Sequence, residues 1–431
     1  MAKYVASKFN VTVKVSDGGF VLFQTMTGAV TKIKREHSEE VLEMLRKGTG
    51  GNVEFLSALV KQGHLVEKGM DEIGALLTQR CSTIHESKVF DLILLTTLQC
   101  NFACKYCYEV HRDEIMDAVT VQSIKKFLSR SVDSFDTLHL YWFGGEPLYN
   151  AAPIFELTAY ANELCCQAGK HICTNITTNG YLLDKYLREI EACNITDFQI
   201  TLDGDRAHHD FLRPLQSGEP TYDVIINNIK KLLKNPNICL TLRMNINKEN
   251  MATTRTVLEE FPQVIRGRIR ISLEPIFGDT AFACGAPHAL TETLLDTYRE
   301  AEELGYMTLR RDFFRMRPEK FIYCYAEREH QLAISPSGKL FKCTARDFTD
   351  KNSVGNLSGD GKVNFTEAYT AWMSRGEDFP PICKQCSYLP LCMGGCRNNY
   401  EALLTKNGEP CKIAAQHYER IKSILKFKHY I

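Results

Sequence analysis

Residues 89–107 read Val89-Phe-Asp-Leu-Ile-Leu-Leu-Thr96-Thr-Leu-Gln-Cys100-Asn-Phe-Ala-Cys104-Lys-Tyr-Cys107. The first eight have the composition of a buried β-strand, and a cysteine triplet begins four residues beyond them. The same rhythm repeats along the chain. Strands are expected at Val89–Thr96, Thr137–Phe143, His171–Thr177, Thr196–Leu202, Ile238–Asn245 and Arg268–Glu274. Amphipathic helical stretches separate them, among them Ala118–Arg130, Ile154–Ala168 and Asp223–Leu233. Six βα units of this size imply an α/β fold with a parallel sheet, either an open barrel or doubly wound. In both, chemistry gathers at the C-terminal ends of the strands, where the triplet falls.

Ten of the 17 cysteines fall into two spaced groups. The first is Cys100, Cys104 and Cys107. The second is Cys324, Cys343, Cys383, Cys386, Cys392, Cys396 and Cys411, with Gly338 between its first two members. Three thiolates can hold a [4Fe–4S] cluster and leave one iron open to a ligand, whereas four close it. Buried structural thiols have no reason to adopt the Cys-x3-Cys-x2-Cys spacing, and zinc sites more often pair two Cys-x2-Cys knuckles. The seven other cysteines, Cys81, Cys165, Cys166, Cys173, Cys193, Cys239 and Cys284, read as small apolar residues.

At 431 residues the chain has room for two or three domains. Its 52 basic residues balance 52 acidic ones, which argues against nucleic acid and acidic membrane as partners. The first residues lack the apolar core of a signal peptide, and no apolar stretch reaches membrane-spanning length. A cytoplasmic location is expected, where clustered thiols serve metals sooner than disulfides. Residues 1–86 read as a small separate domain. Its strands are expected at Phe9–Val15, Phe20–Gln24 and Val30–Lys34, with Asp17-Gly18-Gly19 as a hairpin turn. Helices are expected at Ser38–Lys47, Asn52–Gln62 and Met70–Leu77, which together make a winged-helix-like unit. Beyond about residue 315 regular periodicity fades and cysteines accumulate, as in a region held together by clusters.

Three short motifs lie at successive strand ends. Gly144-Gly145-Glu146-Pro147 ends the second strand, with glycines that admit close backbone approach and a carboxylate that can pair with an ammonium. Thr177-Thr178-Asn179-Gly180 follows the third strand and Thr201-Leu202-Asp203-Gly204 the fourth. Arg243 and Asn245 lie in the fifth strand and Glu274 ends the sixth. Arg243 could equally be a structural ion pair, and His208, His209 and Asp210 could equally serve the surface or cap a helix.

Together these motifs resemble the radical S-adenosylmethionine (SAM) superfamily, whose signature is Cys-x3-Cys-x-aromatic-Cys and whose GGEP motif holds the SAM amino group. The resemblance spans most of residues 88–415, and the C-terminal spacing resembles the seven-cysteine SPASM pattern. It implies a partial (β/α)6 TIM-like barrel over residues 87–314, between the winged-helix-like domain and a SPASM domain over residues 315–431. Three [4Fe–4S] clusters are implied. One, on Cys100, Cys104 and Cys107, would bind SAM. Cys383, Cys386, Cys392 and Cys411 would hold a distal auxiliary cluster, and Cys324, Cys343 and Cys396 a proximal one. The fourth iron of the proximal cluster would stay open to a substrate thiolate or to another residue, Cys284 being a remote candidate. Tyr106, Gly144, Gly145, Glu146, Thr178, Asn179, Asp203 and Arg243 would line the SAM side.

Residues 1–86 resemble the precursor-binding element fused to maturases of ribosomally made peptides. Val30–Lys34 and Asn52–Gln62 would grip a leader segment by β-addition; a structural cap on the barrel is the alternative. The implied activity is a SAM-derived 5′-deoxyadenosyl radical that installs an intramolecular crosslink in a precursor peptide, foremost a cysteine-to-carbon thioether. A low-potential donor of flavodoxin or ferredoxin type would supply electrons. The rivals are carbon–carbon crosslinking, epimerisation, formylglycine formation and a non-catalytic iron–sulfur or zinc protein. Formylglycine maturases place Asp directly after the cysteine corresponding to Cys343, where this chain has Thr344.

Overall fold

The computed structural model describes residues 3–276, 291–308, 321–375, 378–399 and 411–431. Cys284 and the 314/315 boundary lie outside these residues. Six parallel strands organise the molecule: β6 (Val89–Leu95), β7 (Thr137–Phe143), β8 (His171–Thr178), β9 (Asp197–Thr201), β10 (Cys239–Ile246) and β11 (Ile269–Pro275). Each pairs in parallel with its predecessor. A doubly wound sheet reverses its order at a switch point. This one does not, so of the two sheets the pattern allowed, the barrel-like one forms.

Helices α4 (Ala118–Ser131), α5 (Ala152–Gln167), α6 (Leu187–Ala192), α7 (Arg206–Leu212), α8 (Tyr222–Leu232), α9 (Thr254–Glu259), α10 (Gln263–Arg266) and α11 (Thr291–Glu303) fill the connections. Alternation along β6 assigns the faces. Phe90, Leu92 and Leu94 pack with the helices in the main core, whereas Ile93 and Leu95 join Tyr141 and Phe143 in a second cluster. On that inner face polar groups also meet, Arg270 Nη2 lying 2.7 Å from Asp197 Oδ1.

The sheet extends past both ends of the six. The two-residue β12 (Met307–Thr308) continues β11. On the other side β13 (Gln331–Ile334) runs parallel to β6, then β14 (Lys339–Phe341), β15 (Gly355–Leu357) and β16 (Val363–Phe365) follow antiparallel. Among the described residues eleven strands thus form one sheet.

In the N-terminal region β2 (Asn10–Lys14), β3 (Phe20–Gln24) and β4 (Val30–Ile33) form an antiparallel sheet. Its turn is locked by Gly19 N–H donating to Asp17 Oδ1 at 2.8 Å. β1 (Tyr4–Ala6) pairs with β5 (Leu65–Glu67), two strands too short to show alternation in sequence. Every residue of β3 is buried. Phe20 and Leu22 pack on α1 (Ser38–Lys47) and α2 (Val53–Lys61), while Val21 and Phe23 pack on the helix Lys412–Phe427. Each such fully buried side chain contributes about 1.5–3 kcal/mol, so the N-terminal sheet is welded to the C-terminal helix. α3 (Glu72–His85) runs eight residues past its expected end at Leu77. Its buried face continues through Arg80, a charge that hides the apolar period.

Candidate active site

The triplet loop leaves β6 and is held from both sides. Toward α7 it is zipped to residues 212–216: Ala103 N–H donates to Pro214 O at 2.9 Å, Lys105 N–H to Leu212 O at 3.0 Å and Gln216 N–H to Asn101 O at 2.9 Å. Phe102, 1% exposed, plugs the core between the first two cysteines. Toward β7 the contact is the Gly-Gly-Glu turn. Gly145 N–H donates to Thr97 O and Glu146 N–H to Gln99 O. A Cβ on Gly144 or Gly145 would collide with those same carbonyls. Both glycines are therefore required by the neighbouring chain itself, where the motif alone suggested approach to a ligand.

Glu146 is fully buried. Its carboxylate accepts from Leu148 N–H at 3.0 Å, Thr178 Oγ1 at 2.7 Å and Asn179 N–H at 2.7 Å. A carboxylate offers about four acceptor sites, so roughly one remains. Burial raises its pKa against these hydrogen bonds. Asn179 donates onward to Asn101 Oδ1 at 2.8 Å and approaches Cys100 Sγ at 4.0 Å. The strand-end motifs of β7 and β8 thus converge on the first cysteine.

A second network meets at the Tyr106 hydroxyl. It donates to Asp203 Oδ2 and accepts from Arg213 Nη1 at 2.8 Å and Asn245 Nδ2 at 2.9 Å. Asn245 also accepts from Arg243 Nε at 2.9 Å, which brings Arg243 to the edge of the group as a hydrogen-bond donor. Asp203 is buried, with Arg213 at 3.7 Å. Burial pushes its carboxyl up against the pull of that guanidinium. Burial works against the Arg213 charge too, but Cys104, Tyr106 and Asp203 hold it protonated.

His209 is buried and structural: its Nδ1 accepts from Asp203 N–H at 3.1 Å, and its Nε2 lies 3.1 Å from Thr221 Oγ1. His208 pairs with the α7 cap Asp205, and Asp210 accepts from the first amides of α8, the capping roles allowed for them. Glu274 accepts from Ser272 on its own strand, apart from this network. Arg213 is the residue that motif reading missed. Its one sequence signal is an Arg-Pro pair, more than a hundred residues from the cysteines it faces.

The seven C-terminal thiols sort by mutual charge. Cys324 is influenced by Cys343 and Cys396, whereas Cys392 is influenced by Cys383, Cys386 and Cys411. The hairpin β13–β14, closed by Gly338 at φ +78°, returns the chain toward Cys324 and ends two residues before Cys343. Met393, Gly394 and Gly395 take three successive positive φ values of +48°, +79° and +79°, reversing the chain between Cys392 and Cys396. Two glycines make that reversal affordable.

Among the described residues no three His, Cys, Asp or Glu side chains converge on a single metal ion. A cubane puts each thiolate on a different iron, so its ligands stand further apart. The donor set suits such a group: all ligands are thiols, and burial pushes Cys100 and Cys324 up to about 12, so a positive centre is needed to ionise them. Asn101 Nδ2 and Arg213 Nε are buried beside the triplet without a hydrogen-bond partner among the described residues, as an anionic ligand would require.

Residues 94–261 match the profile of the Radical SAM superfamily. The chain carries a radical SAM domain. It is accordingly a radical SAM enzyme, of a superfamily that binds SAM and a [4Fe–4S] cluster. Over 437 aligned residues it is 22% identical to the radical SAM cyclopropyl synthase TigE of Paramaledivibacter caminithermalis, covering 90% of this chain and 89% of that one. A serine-type anaerobic sulfatase-maturating enzyme of Klebsiella aerogenes is 26% identical over 192 residues, covering 42% of this chain and 45% of that one. In fold the radical SAM enzyme is similar to anSMEcpe solved with bound AdoMet, at TM-score 0.61 and 16% identity over 79% of this chain and 98% of that one. It is also similar to Streptococcus suis SuiB solved with precursor peptide SuiA, at TM-score 0.53 and 16% identity over 95% of this chain and 98% of that one. No described helix is long and apolar enough to cross a membrane.

Proposed function

We propose that the chain is a radical SAM peptide maturase that installs an intramolecular crosslink in a ribosomally made precursor. Cys100, Cys104 and Cys107 hold the first cluster at the mouth of the barrel. Bound there, cluster and SAM supply reductive cleavage of SAM and a carbon-centred oxidant able to take hydrogen from an unreactive carbon. The chain's own residues orient and shield that chemistry. Glu146, through its remaining acceptor site, and the Gly144-Gly145 turn meet the ammonium end. Thr178 and Asn179 fix Glu146. Tyr106, Asp203 and Arg243, with Asn245 and Arg213, form the polar wall opposite.

Cys383, Cys386, Cys392 and Cys411 hold a distal auxiliary cluster in a SPASM domain; Cys324, Cys343 and Cys396 hold a proximal one. What most directly supports this reading is the spacing of the seven thiols, with the β13–β14 hairpin returning the chain between Cys324 and Cys343 and residues 393–395 reversing it between Cys392 and Cys396. Three thiols would leave one iron open to a peptide thiolate, which favours the thioether reading. The winged-helix-like N-terminal domain grips the leader of the precursor along β4, whose outer edge carries no partner strand among the described residues. A flavodoxin- or ferredoxin-type donor feeds electrons, and the enzyme works in the reducing cytoplasm.

A second reading, carbon–carbon bond formation, is favoured by the end-to-end similarity to a cyclopropyl synthase. High-resolution mass spectrometry of a short cysteine-containing peptide encoded beside this gene, after anaerobic co-expression, separates the two. Loss of two hydrogens with a thiol that no longer alkylates is the expected result. Loss of two hydrogens with a free thiol would give carbon–carbon joining. An unchanged mass in water with one deuterium gained in D2O would mean epimerisation.

A further inference from the structure

A buried ion triad lies where the N-terminal region meets the cysteine-rich one. Arg80 of α3 points out of its own region, 3% exposed, with Nη2 at 2.8 Å from the Glu327 carboxylate and Nη1 donating to Met393 O at 3.2 Å. Its guanidinium also stacks on Phe379, 5.2 Å from the ring centre. Glu327 is fully buried and faces a second guanidinium, Arg397 Nε, at 3.8 Å. Arg397 in turn donates to the carbonyls of Trp372 and Met373.

The neighbours in sequence give the triad its meaning. Met393 follows Cys392, Arg397 follows Cys396, and Glu327 N–H donates to the carbonyl of Cys324 at 3.2 Å. Both thiol groups therefore border the triad. Two arginines against one carboxylate leave one positive charge in a buried site, and guanidinium cannot shed its proton there. Arg397 Nε and Nη2 are buried without a hydrogen-bond partner among the described residues, as are both Glu327 oxygens, so the positive surplus rests on the count of two guanidiniums against one carboxylate. Thiolate-bound iron–sulfur cubes are anionic, and charge at short range in a low dielectric shifts their affinity for an electron.

We infer that Arg80 is a positioning residue by which the N-terminal region raises the reduction potentials of the two auxiliary clusters. The inference rests on the auxiliary clusters of the proposed function. The deciding experiment is an EPR-monitored redox titration of the anaerobically prepared full-length holoenzyme, with iron counted in each sample. Arg80→Met is expected to move the auxiliary signals to more negative potential. The signal that changes on adding SAM, belonging to the triplet, stays in place. Arg80→Lys, which keeps the charge, is expected to lie near wild type.

Arg80→Met alone leaves Glu327 only the longer Arg397 contact, so loss of iron has to be separated from loss of charge. The double variant Arg80→Met/Glu327→Gln restores the net charge through Arg397 and is expected to retain iron and titrate near wild type. Unshifted auxiliary potentials in Arg80→Met with full iron would overturn the inference. So would a double variant that sheds iron as the single one does, since Arg80 would then act by shape. A wild-type protein with only about four irons would remove the auxiliary clusters themselves, a failure of the underlying reading that the iron count alone exposes.

Discussion

The two cysteine groups are held by different physics. At the barrel mouth, backbone hydrogen bonds tie the triplet loop to residues 212–216 on one side and to the Gly-Gly-Glu turn on the other. Its geometry is an extension of the sheet, specified by backbone hydrogen bonds. In the C-terminal region the described elements around Cys383, Cys386 and Cys392 are single helical turns, Pro381–Lys384 and Leu389–Cys392, the second followed by the left-handed residues 393–395 and backed by a buried ion triad. Little regular structure specifies those thiols, so metal must supply much of their order. A preformed site can be damaged chemically without unfolding, whereas a metal-ordered one cannot.

The largest contrast should come from removing one ligand in each region. Cys104→Ala should reduce deoxyadenosine formation to background while the circular dichroism spectrum and auxiliary iron remain. Cys392→Ala should lose roughly four of about twelve irons and the crosslinked product, with measurable deoxyadenosine formation surviving. Equal loss of structure in both variants would erase the distinction.

Smaller effects should follow from the backbone. Gly144→Ala places a Cβ against Thr97 O at a φ of +130°, a conformation that costs about 1–3 kcal/mol outside glycine. It should weaken SAM binding by roughly tenfold or more, read by equilibrium dialysis, because the turn carrying Glu146 must move. Gly395→Ala, at φ +79°, should cost about 1–2 kcal/mol and appear as slower cluster reconstitution. If it altered SAM affinity instead, the two regions would be coupled more tightly than their hydrogen bonds suggest.

A further effect lies outside both groups. Burial holds the His64 pKa at about 4, below the ordinary 6.5, with its ring nitrogens bonded to Asn10 and Thr31. The unfolded chain takes up the proton first, so stability is full above about 6.5 and is lost as pH falls toward 4, by about 3 kcal/mol in all. Hydrogen exchange of the β2–β4 amides, corrected for intrinsic rate, should show protection falling over that window in wild type and much less in His64→Gln.

The sequence was most legible where local pattern and tertiary role agree. β7 and β3 have the expected bounds, because each run is short, apolar and flanked by turn formers. β6 and β8–β11 came within a residue or two, the usual uncertainty of strand ends. The short β1, β5 and β12–β16 were illegible since two to four residues cannot display a period. Cysteine spacing located the candidate site, and the strand-end motifs identified Glu146, Asn179 and Asp203 as its companions. Arg213 and the Arg80–Glu327–Arg397 triad had no such mark, because contacts such as Arg213 with Tyr106 and Arg80 with Glu327, closed across more than a hundred residues, leave no trace in either local segment.

The placement of β13 against β6 has a consequence for modularity. The cysteine-rich region begins as the next rung of the barrel's own ladder, with Gln331–Ile334 in register with Asp91–Leu94. It is not a cassette that can be cut away behind the last βα unit, since removal would bare an edge of the very strand that presents the triplet. A chimera that exchanges both auxiliary clusters between enzymes would have to bring its own matching first strand, since Cys324 and Cys343 precede β16.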